Sequence, residues 1–360
     1  MSLKRLSLAL LATALLAAPA AAADPKPVTI AVGTSVLNVG YPMLTLPITL
    51  GYWKAEGYDV KVEPVGASLQ AIQQMVAGNA QFAQVNASVI LQSNTKNNLP
   101  VRFVMENGVI DWSIATLDGA GLSKASDFKG KTIGVFSLAT GGIPLMKSWL
   151  ATNGVDPEKD VTLIPLGLGA APVQALKSGQ VDALLYWASA TAGFENAGLK
   201  LNKIVPEGWR SYPDYSLSTM QKTAETDPDM VVAIARGVAM ATVYALANPE
   251  CAVKLHWEHY PETKPKGADE ATLLAWDLNN INAQLQSLSD GFALNGGKEW
   301  GATDPAGVAR LQSFLRSAGL VPSEMAPEEM IVKIPNFLKR VNDFDADAIR
   351  ADAKACKVTG

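Results

Sequence analysis

The sequence predicts an α/β protein of two α/β lobes joined by a two-strand hinge, with a helical C-terminal extension. Three observations carry that expectation: an internal repeat, two extended crossover segments, and a change of pattern after Thr223. Residues 58–88 and 159–189 match at a constant offset of 101, with eight of 31 positions identical. They are Asp59/Asp160, Val60/Val161, Pro64/Pro165, Gly66/Gly167, Gln73/Gln174, Gly78/Gly179, Ala87/Ala188 and Ser88/Ser189. Unrelated chains would match at roughly one position in twenty. Each copy reads strand, Gly turn, helix, Gly turn, strand and helix start. Two α/β halves facing a cleft are a device for holding a small molecule. Glycine turns and apolar strands shared by any two doubly wound halves would also produce the match, with the same architecture.

The elements follow in order. In the first half, strands cover 28–33, 59–63, 81–85 and 101–105. A helix over 44–54 ends at Glu56-Gly57, and Ser68 is a good N-cap for a helix over 69–77 that stops at Gly78. Asn86-Ala87-Ser88 caps the next apolar helix. Residues 108–116 read as an extended crossover. In the second half, strands cover 132–136, 161–164 and 181–186, and helices start near Gly141, Ala170 and Ala188. A strand over 215–220 carries the chain back. Helical patterns then occupy 230–247, 250–259, 268–288, 304–318, 328–342 and 345–355. Crossovers near Ile110 and Ser216 make a two-strand hinge, so lobe 1 comprises 24–110 and 216–360 and lobe 2 comprises 111–215.

Residues 1–23 read as a signal peptide. Lys4 and Arg5 precede an apolar run from Leu6 to Ala18, and Ala21-Ala22-Ala23 supplies a cleavage site after Ala23. No later stretch reads as a transmembrane helix, so the expectation is an exported, soluble, periplasmic protein. Net charge of −4 and a pI near 5.4 argue against nucleic acid as a partner. The two cysteines, Cys251 and Cys356, can pair in an oxidising compartment or remain free thiols. A bridge would close a long loop, with roughly 4–5 kcal/mol of stabilisation in the chain-entropy account.

Several segments resemble a known family. They are Gly-Tyr-Trp-Lys-Ala-Glu-Gly-Tyr-Asp-Val at 51–60, Gln-Gln-Met-Val-Ala-Gly-Asn-Ala-Gln-Phe-Ala at 73–83, Asp-Phe-Lys-Gly-Lys-Thr-Ile-Gly-Val at 127–135 and Ala-Leu-Lys-Ser-Gly-Gln-Val-Asp-Ala at 175–183. With the export signal, they resemble the periplasmic substrate-binding proteins of ABC importers, in the branch for nitrate, alkanesulfonates, taurine and thiamine-type pyrimidines. The resemblance covers nearly the whole mature chain. It implies a type II-like periplasmic-binding-protein fold, capture of a small solute by hinge closure, and delivery to a membrane permease with an ATPase. The chain has no phosphate-binding loop, so the ATPase would be another subunit. The expected state is a monomer without a cofactor.

Ligands in open α/β sheets bind outside the carboxyl ends of the strands. That selects loops 34–38, 66–68 and 86–88 in one half and 137–142, 167–170 and 187–189 in the other. None of the six contains Lys, Arg, Asp or Glu. They present backbone N–H groups and helix N-termini, which attract anions without a full positive charge. The candidate ligand-binding residues are Thr34, Ser35, Asn38, Tyr41, Ser68, Asn86, Ser88, Trp112, Ser137, Thr140, Gly141, Tyr186 and Trp187. Ser68, Ser88 and Thr140 offer hydroxyls, and the aromatics can cover an apolar face. Trp209, Tyr212 and Tyr215 are weaker candidates. Asp111 can accept from an amine or ring N–H, pair with Arg210, or face water. The expected solute is a sulfonate, a carboxylate or an aromatic, pyrimidine-like molecule.

Enzyme readings have less to stand on. His256 and His259 share a helix face without an evident third metal ligand, outside the expected cleft. Gly-Leu-Gly at 167–169 lacks the third glycine of a dinucleotide fingerprint. Pyrimidine-synthesising relatives of the fold would want His and Cys in the cleft. The expectation is therefore a binding protein and not an enzyme, with a periplasmic enzyme or a soluble sensor partner as alternatives.

Overall fold

Short apolar runs bounded by glycine become buried central strands, as parallel sheets covered on both faces require. The computed structural model describes residues 24–356, so the signal peptide and its cleavage site lie outside the described residues. The first lobe opens with β1 (Lys26–Val32), α1 (Pro42–Thr49), α2 (Tyr52–Ala55), β2 (Tyr58–Pro64), α3 (Ser68–Val76), β3 (Phe82–Asn86), α4 (Ala87–Asn97) and β4 (Val101–Glu106). The second contains β5 (Ser113–Leu117), β6 (Lys131–Val135), α5 (Gly142–Thr152), β7 (Val161–Pro165), α6 (Ala170–Lys177), β8 (Ala183–Tyr186), α7 (Ala188–Asn196) and β9 (Leu201–Ile204). The chain returns through β10 (Tyr215–Met220), α8 (Gln221–Thr226), α9 (Pro228–Ala247) and α10 (Pro249–His259). It ends in α11 (Glu270–Leu294), α12 (Pro305–Ser317), α13 (Phe337–Val341) and α14 (Ala346–Ala355).

The two sheets have orders β2-β1-β3-β10-β4 and β7-β6-β8-β5-β9. Their register reproduces the repeat. Ile30 pairs with Val62 and Phe82, and Ile133 pairs with Leu163 and Ala183. Both sets of partners stand 101 residues apart, the offset read from the sequence. The fourth strand of each sheet, β10 or β5, is antiparallel and enters across the junction. The crossings, 107–112 and 205–214, run beside each other. Asn107 N–H donates to the Tyr215 carbonyl at 2.9 Å, Asp214 N–H to the Gly108 carbonyl at 2.9 Å, and Ile110 N–H to the Tyr212 carbonyl at 3.1 Å.

Three expectations about elements are corrected. The helix over 44–54 is two helices, because Gly51 adopts a φ of 72° and breaks the run. The helix over 328–342 shrinks to α13. Pro335 and Asn336, at φ 55°, interrupt it, and residues 330–332 instead bond along β4, with Phe103 N–H donating to the Met330 carbonyl at 2.7 Å. Finally, α9 is long and apolar enough to cross a membrane by length and composition, contrary to the sequence reading. It is instead the core helix of the first lobe, with 78% of its apolar window buried. A Cβ on Gly237 would lie 2.1 Å from Trp53 Nε1, so only glycine allows that contact.

Cys251 and Cys356 are joined in a disulfide that ties the end of α14 to α10. Helix α11 has two faces. Leu273, Ile281, Leu285 and Leu288 enter the first lobe's core at helical spacing. The other face meets the second lobe, where Asn279 Nδ2 donates to Asn196 Oδ1 at 3.0 Å and Asn196 Nδ2 donates to Asn280 Oδ1 at 3.1 Å.

Candidate functional site

Parallel strands release their chains at one edge of the sheet, and the next helices start there with unpaired N–H groups. β3 passes directly into α4 at Ala87, and β8 passes through Trp187 into α7 at Ala188. The two crossings run over these helix starts, and each delivers one aspartate. Asp214 Oδ1 accepts from Ala87 N–H at 3.2 Å, and its Oδ2 accepts from Asn86 Nδ2 at 2.7 Å. The Asp111 carboxyl lies near the Ala188 N–H, which favours its ionised form. Ala87 and Ala188, partners in the repeat, thus meet matching carboxyl groups.

Both carboxyls are buried. Burial pushes Asp111 up to about 6, opposed by the Arg210 guanidinium and the Ala188 N–H. Asp214 is held well above the usual carboxylate range by burial and by nearby Asp111, against the pull of Asn86, Ala87 and Trp112. Arg210 donates to the Ile110 carbonyl and lies beside Asp111 in a separate cavity, no smaller than the cleft.

Between the lobes lies a narrow cleft. Four aromatic side chains wall it. Trp112 and Trp187 meet edge to face at 5.5 Å, and Tyr41 and Tyr215 lie tilted at 6.2 Å. Asp111 is the carboxyl that faces the space, joined by Asn86, Thr140 and Gln284 as polar lining. The Tyr215 hydroxyl is buried without a hydrogen-bond partner among the described residues. Burial and the neighbouring Tyr41, Asp111 and Asp214 all raise its pKa, so it stays a neutral donor.

The start of α5 packs closely against both the crossing and the first lobe here. A Cβ on Gly142 would lie 2.3 Å from the Trp112 ring, and one on Gly141 would lie 2.2 Å from Asn86 Oδ1. Glycine at these positions lets the start of α5 settle onto the first lobe. Ser88 Oγ donates across the junction to the Gly141 carbonyl at 3.0 Å.

Of the residues singled out from the sequence, Tyr41, Asn86, Trp112, Thr140 and Trp187 line the cleft. Ser88 and Gly141 stand just behind it. Ser68 caps no helix. It is the first residue of α3, and its hydroxyl donates to Asn86 Oδ1 at 2.9 Å, making a buried chain from Ser68 through Asn86 to Asp214. Thr34 is buried and donates to the Val36 carbonyl at 3.1 Å. Ser35 is exposed. Asn38 accepts from Gly40 N–H at 3.0 Å and faces an outer groove. Ser137 accepts from Ala139 N–H at 3.2 Å within its own turn.

Tyr186 departs from expectation. It is wholly buried in the second lobe's core and donates to the Gly167 carbonyl at 2.7 Å. Neighbouring residues at a strand end point to opposite faces, so Trp187 takes the cleft and Tyr186 the core. Trp209 is also core, and Tyr212 stacks on Phe314 at 5.4 Å. His256 lies in the first lobe with its Nε2 2.9 Å from Thr263 Oγ1. Among the described residues no group of three His, Cys, Asp or Glu is placed to hold a metal ion.

Sequence reasoning missed Asp214 and Gln284 and left Asp111 open. The loop rule looks at strand ends, whereas Asp111 and Asp214 sit in the crossings and Gln284 projects from α11. The omission matters. Two of the six helix starts offered to a solute anion, at Ala87 and Ala188, already face the protein's own carboxyls. A solute anion within about 4 Å of ionised Asp111 would be repelled by roughly 4 kcal/mol at a protein-like dielectric.

A more open groove of about 1180 Å³ adjoins the cleft on the other side of Trp187, bordered by Asn38, Leu168, Val173 and Phe194.

Two sheets of this strand order, joined by paired crossings over a cleft, define a two-lobed periplasmic-binding-protein fold. The family described as NMT1/THI5-like matches residues 44–252, more than half of the chain, and the protein belongs to that family. No curated protein matches it by sequence. Among solved structures, a protein of Bordetella bronchiseptica RB50 is 21% identical, with a TM-score of 0.69 over 89% of this chain and 98% of its own. The alkanesulfonate-binding protein SsuA of Xanthomonas axonopodis pv. citri, bound to MOPS, is 14% identical, with a TM-score of 0.62 over 86% and 99%. The desulfurization enzyme DSZB shares the fold too, at 16% identity and a TM-score of 0.52 over 88% and 98%.

Proposed function

We propose that this protein is the solute-binding component of an ABC importer. Residues 24–110 with 216–360 would form one moving body and 111–215 the other, hinged at the two crossings. The observation that carries this reading is the aromatic-walled cleft between the lobes, lined from both sides and bordered by the hinge. A small organic solute with a flat or apolar face fits four aromatic side chains better than a bare inorganic anion does. Within the expected range of solutes, the ring-like members gain support. The sulfonates and carboxylates lose it, because Asp111 and Asp214 take the helix N–H groups such anions would use.

The partners would be a membrane permease and its ATPase, and the export signal at 1–23 fits a periplasmic monomer that hands over its cargo. The desulfurization enzyme with this fold keeps catalysis as a second reading, in which Asp111 would be the candidate base. The lining holds no His or Cys, and Asp214 already accepts from Asn86 and Ala87, which favours binding over turnover.

The test is a thermal-shift screen of the mature protein against sulfonates, carboxylates, pyrimidines and amines. A solute at 100 times its dissociation constant should add roughly 2.7 kcal/mol. Recovery of the solute unchanged supports capture, whereas steady conversion would favour the enzyme. A flat response across the whole panel would remove the binding reading.

A further inference from the structure

We propose that the cleft selects a compact organic cation, with its positive nitrogen against Asp111 and inside the cage of Tyr41, Trp112, Trp187 and Tyr215. The inference rests on the solute-binding reading and names the charge of the solute. Its basis is geometric. Aromatic faces carry negative potential and attract cations, and a desolvated site strengthens that attraction. Asp111 adds a carboxylate that faces the space. Its one close cationic neighbour, Arg210, bonds the Ile110 carbonyl and lines the cavity on the far side. The Tyr215 hydroxyl supplies a further polar contact without a partner among the described residues. None of the residues lining the cleft is Lys or Arg.

The matched carboxyls explain why charge selection falls on one crossing. Asp214 is fully buried and spends its oxygens on Asn86 and Ala87. Asp111 lies near the Ala188 N–H and borders the space. A cation placed there stabilises the ionised form of Asp111 and lowers its pKa. Binding near pH 6 should therefore release a proton, and affinity should fall as pH drops below about 6. The ionisable groups facing Asp111 are Arg210, Asp214, Tyr41 and Tyr215, with Asp290 on α11 across the far cavity. Burial holds both tyrosines neutral, and Asp111→Asn separates the contribution of Asp111 from that of the neighbouring Asp214.

Calorimetry on the mature protein tests the proposal. The probes are choline, methylguanidine, the neutral carbon isostere of choline, and propanesulfonate. At pH 7.5, a cation should bind at least tenfold tighter than the neutral isostere, and the sulfonate should be weakest. The preference should shrink towards unity as wild-type protein is taken from pH 7.5 to 5. Asp111→Asn keeps an oxygen for the Ala188 N–H and removes the charge, so it should abolish most of the preference. Equal binding of choline and its isostere, tighter binding of the sulfonate, or failure of both cations would overturn the proposal. If neutral pyrimidines bind in that case, the solute-binding reading survives; if nothing in the wider panel binds, that reading fails as well.

Discussion

At the end of β3 the chain reads Asn86-Ala87-Ser88, and at the end of β8 it reads Trp187-Ala188-Ser189. The scaffold around them matches: a buried parallel strand, a helix starting at alanine, and an aspartate from a crossing above. The first residue differs, and so does its task. Asn86 turns its amide inward, linking Ser68 to Asp214, and closes the polar network of the first lobe. Trp187 bonds nothing comparable and supplies a ring at the boundary between cleft and outer groove. With its oxygens engaged by Asn86 and Ala87, Asp214 is a structural group. Asp111, beside Trp187, keeps a side open to the cleft. Duplicated architecture therefore pairs a carboxyl engaged by its own lobe's helix start with one that still borders the cleft.

That contrast can be attacked in several places. The first lobe alone carries the Cys251–Cys356 bridge, across a sequence separation of 105. Replacing both cysteines by serine should cost about 4 kcal/mol of stability. Hydrogen exchange should show lost protection in α9, α10 and α14 and little change in β6 and β8; uniform loss would mean that the lobes unfold as one unit. Next in size, Trp187→Ala should weaken the best solute about a hundredfold, some 3 kcal/mol, as for a central aromatic anchor. Trp149→Ala, in the same lobe but away from the cleft, should leave affinity unaltered, and matching losses would contradict the division of labour. Asn86→Ala should show up mainly in urea unfolding, at about 1–3 kcal/mol, because it strands buried Ser68 and Asp214 partners. Ser88→Ala removes one hydrogen bond between the lobes, so affinity should fall only severalfold, about 1 kcal/mol. No change would show that the Gly141 contact does not contribute to closure.

Much of this was legible in the chain. The offset of 101 anticipates the register of both sheets because strand and helix lengths repeat with the residues that pack them. The Gly51 break and the Pro335-Asn336 interruption were not read, since apolar periodicity continues through both and was followed past the glycine and the proline that stop each helix. By length and composition α9 passes for a spanning helix although it carries Asp229 and Arg236, and its burial makes it a core helix. For the cleft, the strand-end rule found Asn86, Thr140 and Trp187. It could not find Asp214, whose importance comes from lying over Ala87, 127 residues earlier. Nor could it find Gln284, which reaches the cleft from α11. Composition of the loops alone left a sulfonate, a carboxylate or a pyrimidine-like solute open, and it carried no sign of the carboxyl that Asp111 brings to the cleft from a crossing.

The central claim is that the cleft between matched helix starts closes on a solute. Hydrogen exchange tests it most directly, with and without whichever solute most raises the melting temperature. The account predicts simultaneous protection at 86–88 in the first lobe, 111–112 in the crossing, and 140–142 and 187–189 in the second lobe. Protection confined to one lobe, or to the outer groove at 168–177 and 193–197, would contradict it.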